Sequence, residues 1–529
     1  MAGLWPGAAA LAALLLLIGG AFVALLSSTG ELDPAGLLAD RYLRHVVLFT
    51  LGQAGASTLL SVAAALPVAR ALARRSAFPG RTMLLRLFGL PLVMPTLVAI
   101  LGLATVFGET GWLNRLGQAA AMQPLHFLYG LSGILIAHVF FNLPLAVRLL
   151  LPAWQSVPTE TWRLAAQLGM RSRHLFRVIE WPLLRQVLPG IAGVIFMLCF
   201  TSFAVVLTLG GGPRAATLEV AIYQALRLDF DIARAVELSL MQVALCGLVL
   251  VLLRAWRREV PLSASFDRPA ARPDLGPWLG RAGDGAAILG AAVFIGLPLA
   301  AVVSAAVAGS PGTVLIEERL WRAALRSIAV AGGAAAVAMA LGIGILSAQR
   351  ELRLRRGRPR AAAMLELSGS LIMVVPPLVL GVGLFVLLSR VADVLALGLG
   401  LVVAVNAVMG LPYVLRIVGP SMERTVGRYE RLCLGLGIRG WNRLRLVEWP
   451  ASRPAVGLAA ALVAALAAGD LGAIALFGTE DNETLALLLY RLIAAYRMEA
   501  AAVVAGVLLA LSLGLFVVIE RGVGRRGQA

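Results

Sequence analysis

Apolar residues fall along this chain in twelve runs of about 20, each long enough to cross a hydrocarbon core as a helix. They lie near 8–27, 46–70, 84–107, 130–151, 187–209, 236–255, 284–308, 323–347, 366–389, 394–417, 455–477 and 500–519. The pattern predicts an all-α integral membrane protein of about 12 transmembrane helices. The first run lacks a basic leader and exceeds a signal-peptide core, so it reads as the first transmembrane helix. One polar stretch between the runs occurs twice. Residues 162–182 read WRLAAQLGMRSRHLFRVIEWP, and residues 430–450 read ERLCLGLGIRGWNRLRLVEWP.

The duplication extends beyond these loops. At an offset of 268, Leu143-Pro144 matches Leu411-Pro412, Arg148 matches Arg416, Pro152 matches Pro420 and Arg185 matches Arg453. Upstream, Pro95 and Gly102 match Pro376 and Gly383 at an offset of 281. Each half therefore holds six spans in the same order and orientation, which predicts two parallel repeats related by an axis along the membrane normal. The expected units are 1–255 and 284–529, with polar loops at 152–186 and 420–454. Residues 256–283, rich in Arg, Pro, Gly and Asp, read as a linker.

Composition agrees with the membrane reading: 60% of 529 residues are hydrophobic and 14% charged. All 46 basic residues are arginine, against 28 acidic ones. Such an excess can signal nucleic acid, but here the arginines cluster in short loops, the positive-inside pattern, so no nucleic-acid partner is expected. Arg74, Arg75, Arg81 and Arg86 follow span two; Arg254, Arg257, Arg258, Arg268, Arg272 and Arg281 follow span six; six more lie between Arg350 and Arg360. These loops, both repeats and the tail share one side, expected to be the cytoplasm with both termini there. Three cysteines and four histidines form no ligand pattern, and no metal, cofactor or catalytic constellation is implied.

The repeated loop reads as a mechanical part. Pro158 and Glu160 suit the start of a short helix, Gly169 its left-handed stop, Ser172 a second start, and Pro182 a limit. Two such knobs at matching places imply two equivalent grooves on a partner; the alternative is an amphipathic loop lying in the interface. A small-residue helix, a glycine, about nine residues and an apolar-x-Pro ending resemble the EAA loop of binding-protein-dependent ABC importer permeases, the loop that docks in the ATPase subunits. The resemblance covers nearly the whole chain as a fused two-domain permease of type I architecture. It implies coupling roles for Arg163, Ala165, Ala166, Gly169, Arg171, Glu180 and Pro182, and for Arg431, Gly437, Arg439, Glu448 and Pro450. Leu432-Cys433-Leu434 departs from the small-residue pattern, and Trp181 and Trp449 replace the usual Leu, so the second knob is expected to grip less well.

Within that family, residues 196–213 and 469–478 are similar to the thiamine importer permeases, with fused ferric-iron and aminoethylphosphonate permeases sharing the architecture. The resemblance implies a bacterial inner-membrane transport subunit surrounded by lipid, working with an ABC ATPase dimer and a periplasmic binding protein. The alternative of another class is an ion-gradient-driven secondary transporter, which requires ionisable relays in several spans, whereas Asp470 is almost solitary. A carboxylate in span eleven costs roughly 2.5–3.5 kcal/mol, which makes Asp470 the leading pathway candidate unless it caps a broken helix. Its first-half counterpart is Ser202; Tyr223 joins the pathway set, and Asn142 and Asn406 suit helix-packing hydrogen bonds. Glu219, Tyr223, Asp229 and Asp231 share the opposite side, where a binding protein would meet them.

Overall fold

A computed structural model describes residues 4–28, 39–120, 122–256, 272, 278–309, 311–372, 375–389, 391–438 and 440–524. The described chain is helical, without strands, and 11 helices are long and apolar enough to cross a membrane. In the first half these are α1 (Trp5–Ser27), α2 (Arg41–Arg74), α3 (Thr96–Phe107, counted with its continuation), α4 (Leu131–Gln155), α6 (Trp181–Phe200) and α8 (Ile232–Trp256). Two shorter helices, α5 (Thr159–Gln167) and α7 (Leu218–Arg227), lie between them. The second half has α9 (Trp278–Ala308), α10 (Glu318–Arg350), α11 (Pro377–Leu388), α12 (Gly398–Gly435), α13 (Trp449–Ala468), α14 (Leu485–Ala494) and α15 (Met498–Gly524).

Two expected spans, 84–107 and 366–389, are not continuous helices. Helix α3 begins only after Pro95 and α11 only after Pro376, and each has 12 residues. A proline lacks the N–H that an ongoing helix needs and pushes its predecessor out of the helical region, so the helix starts afresh. Twelve residues rise only about 18 Å, short of a core about 30 Å thick. Helix α3 reaches spanning length together with Trp112–Ala119, whereas α11 has no such continuation, so the ninth expected span is a short helix.

These short helices are where the halves interlock. Helix α3 packs against α9 and α15 of the second half, and α11 packs against α1 and α8 of the first. Helix α1 also lies along α10, and α9 along α2, so each half places its first helix on the other. Glycine permits the approach at both crossings. A Cβ at Gly102 would stand 2.4 Å from the Pro298 carbonyl oxygen, and one at Gly383 would stand 2.8 Å from the Ala21 Cβ. These are the two glycines matched at an offset of 281. Inside this reciprocal frame, α2, α4 and α6 form one centre and α10, α12 and α13 the other.

Candidate functional site: two loops and a broken helix between them

The first repeated loop is built by one proline and one glycine. Pro158 ends the run of α4 and opens α5, with Glu160 in its first turn. Gly169 then takes φ +62°, and the Met170 N–H donates to the Ala165 carbonyl at 3.0 Å, closing the helix with a left-handed residue. The chain returns through Ser172–Leu175 and a wide turn at Phe176–Glu180 into α6. Trp162, Ala165 and Leu175 are buried together between the two arms, with Val157, Met170 and Ile179 packed on them. The knob thus carries its own small core.

In the second loop, Val426 stands where the first has Pro158, and α12 runs without interruption from Gly398 to Gly435. Gly437 takes φ +67°, and Ile438 N–H donates to the Cys433 carbonyl at 2.9 Å, repeating the closure. The core differs in kind. The positions of Trp162 and Leu175 are held by Glu430 and Arg443, which form an ion pair. Arg443 is buried and also donates through Nε to Glu448 Oε1 at 2.8 Å. Burial opposes its charge, but Glu430 and Glu448 outweigh that and hold the guanidinium above its ordinary value.

Glu180 and Glu448 are the fixed points of the two loops. Both are fully buried. Arg70, near the end of α2, donates to Glu180 Oε2 at 2.6 Å, and its guanidinium lies 5.0 Å from the Phe176 ring centre. Arg350, at the end of α10, pairs with Glu448 in the same way. Each loop is therefore tied through a desolvated carboxylate to the second span of its own half, and removing one partner from such a pair costs about 3–5 kcal/mol.

What remains exposed is shared. Leu164, Leu168, Val178 and Trp181 stand out from the first knob, and Leu432, Leu436, Leu446 and Trp449 occupy the equivalent positions of the second. Arg163, Ala166, Gly169, Arg171, Arg431, Gly437 and Pro450 are also exposed, Ala165 is buried and Pro182 half-buried; Arg439 lies outside the described residues. Sequence reasoning did not single out Arg70, Arg350 or the charge pair Glu430–Arg443. The joint change at two positions of one repeat, an apolar pair becoming an ion pair, was the available signal for the last.

Between the knobs and the opposite face, spans five and eleven both break. Helix α6 ends at Phe200 and the chain resumes helix at Ala204; α13 ends at Ala468 and resumes at Gly472. Asp470 sits in the second break. Its Oδ1 accepts from Gly472 N–H at 3.1 Å, and Oδ2 from Ala473 N–H at 3.0 Å and Asn406 Nδ2 at 3.1 Å. It is a helix cap with one further donor, half-buried, and Gly469 beside it packs on Pro95, where α3 of the other half begins. Ser202, half-buried, holds the equivalent break in the first half. Tyr223 on α7 packs its ring 5.3 Å from Phe203. In place of Asn406 the first half has His138, bonded to Ser57 Oγ at 2.8 Å, while Asn142 donates to Cys199 Sγ at 3.3 Å. Of the polar residues on the far side, Glu219 is buried against Gln242, whereas Asp229 and Asp231 are exposed around Phe230.

No family model matches the chain. The chain is 44% identical over 528 residues to the thiamine transport system permease protein ThiP of Brucella abortus, covering 99% of this chain and 96% of the relative. It is 43% identical over 524 residues to the protein of the same description from Escherichia coli, covering 98% and 96%. The corresponding protein of Haemophilus influenzae is 38% identical over 521 residues, covering 97% and 95%.

Proposed function

The chain belongs to the family of thiamine transport system permease proteins, and from that premise we propose that it is the membrane subunit of an ATP-driven importer carrying thiamine or its phosphates from periplasm to cytoplasm. The observation that carries the reading is the pair of equivalent knobs, each presenting the same four apolar positions around a left-handed glycine. Two such surfaces suit the two clefts of an ATPase dimer on the arginine-rich side, which the positive-inside rule makes cytoplasmic, with both termini there. Closure of that dimer would move the knobs, and the buried pairs Arg70–Glu180 and Arg350–Glu448 would carry the motion into α2 and α10.

The substrate route then lies where the halves meet, at the breaks beside Ser202 and Asp470, with Tyr223 above the first. Unwound backbone at mid-membrane supplies polar groups to a dehydrating substrate, and the Asp470 carboxylate suits a cation. A periplasmic binding protein would dock on the face bearing Asp229, Phe230 and Asp231.

Reconstitution with the ATPase and binding protein tests this: labelled thiamine should enter liposomes only with ATP and both partners. Transport of ferric iron or aminoethylphosphonate instead would change the substrate. Uptake by the chain alone, driven by an ion gradient, would overturn the class.

A further inference from the structure

Glu180 and Glu448 are equally buried, yet the loops that hold them are not equally equipped. In the second loop, Arg443 spans the knob from inside: it pairs with Glu430 on the first arm and with Glu448 at the end of the second. The equivalent first-loop residues are Leu175 and Trp162, neither of which brings a charge. A carboxylate desolvated as deeply as Glu180 requires more compensation than one guanidinium at its edge supplies. The missing group arrives from far along the chain. Arg272 pairs with Glu180 Oε1, and its guanidinium lies over the Trp162 ring, 4.2 Å from the centroid. Its side chain is only 5% exposed. It therefore touches the same two loop positions that Arg443 touches in the other half, from a separation of 92 residues.

Arg272 belongs to the segment 256–283 that joins the halves. Twelve positions on, Asp284 at the start of the second half pairs with Arg74 and Arg75 at the end of α2. Arg272 and Asp284 are thus both anchored in the first half.

Resting on the coupling role of the knobs, we infer that Arg272 is a working part of the first coupling loop, the positioning residue that completes it from a distant point of the chain, as Arg443 completes the second from within. In the second loop the arginine that bridges the two arms is the loop's own. The first transmits force only while Arg272 is seated in it.

The test uses the full chain assembled with its ATPase and binding protein. Arg272→Ala should leave assembly intact but reduce substrate carried per ATP hydrolysed on the order of tenfold, because Glu180 and Trp162 lose their clasp and the knob slips under load. Arg272→Lys should recover part of the ratio. Installing the second loop's own solution, Trp162→Glu with Leu175→Arg, in the Arg272→Ala background should restore it, and should also restore assembly if the single variant fails to assemble. A normal transport-to-ATP ratio in Arg272→Ala, or no restoration by the transplanted pair, overturns the inference. Gly169→Val serves as the reference: if it uncouples while Arg272→Ala does not, the inference alone fails, and if neither affects coupling, the docking role of the knobs fails with it.

Discussion

The two repeated loops share a backbone plan and an exposed apolar set but are held together by opposite chemistries. The first buries a tryptophan against a leucine and borrows an arginine from outside; the second buries an arginine between two glutamates. The crevices beneath them differ too. Behind the first lies a cavity of about 210 Å³ lined by Leu66, Pro67, Arg70, Trp154, Phe176, Trp181 and Leu184, while the equivalent space behind the second, under Met422 and Leu444, shrinks to about 10 Å³. The two knobs thus share the few apolar positions on their outside, while two different interiors each hold a buried glutamate. Sequence resemblance to the loop family favours the first copy. The second carries ion pairs within the loop itself.

The comparison breaks most completely if both glycines are changed. Gly169→Val with Gly437→Val forces a β-branched residue into φ values of +62° and +67°, at about 1–2 kcal/mol each and more for a branched side chain. Uptake in reconstituted vesicles should fall to background and ATPase should no longer co-purify; retention of both would show that the knobs are not the docking parts.

Arg443→Leu sharpens the contrast between the interiors. It takes one partner from each of Glu430 and Glu448, the latter keeping Arg350, at about 3–5 kcal/mol, readable as a lowered melting temperature in detergent. Adding Glu430→Trp copies the first loop's apolar pair but supplies no substitute for Arg272, so recovery should be incomplete. Full recovery would mean that the buried glutamate needs only Arg350.

Val426→Pro asks whether the unbroken α12 matters. It removes one helical bond and adds a steric clash, at about 3 kcal/mol, whereas Pro158→Val should shift stability by less than about 1 kcal/mol, either way, since α4 already ends there. Equal effects would show that a broken and an unbroken helix lead into the knob equally well.

The smallest effect is at the span breaks. Asp470→Ser installs the first half's residue, keeps an acceptor for the cap and should cost about 1 kcal/mol in stability. If the carboxylate serves a cation, the KM for uptake should rise several-fold while Ser202→Ala leaves it unchanged; an unaltered KM would reduce Asp470 to a cap.

Much of this was legible in advance. Gly169 announced a left-handed stop because few other residues tolerate one, and Pro158 opened the helix it adjoins. Pro182, expected to limit the second arm, does not end it: helix continues from Ser172 to Phe200, with the wide turn at Phe176–Glu180 just before the proline accommodating its missing N–H. Asp470 beside two glycines offered both a cap and a pathway group, and the structure places it as a cap at the contact between halves. The burial of Glu180 was not readable. It sits among exposed arginines in the sequence, and its partners are 110 and 92 residues away. Nor did the apolar run at 366–389 disclose its interruption, since hydropathy does not register the lost N–H of Pro376 and Pro377.

By itself the sequence determined that the chain carries membrane-spanning helices and two copies of a helix–glycine–helix knob, because hydropathy, repetition and φ preference are properties of neighbours along the chain. Tertiary structure alone decided that α3 and α11 lodge in the opposite half, that Arg70 and Arg350 secure the knobs, and that Arg272 closes the first one. A lipid-facing apolar helix carries no charge code for its partner, and a buried carboxylate accepts whichever guanidinium the fold delivers to it.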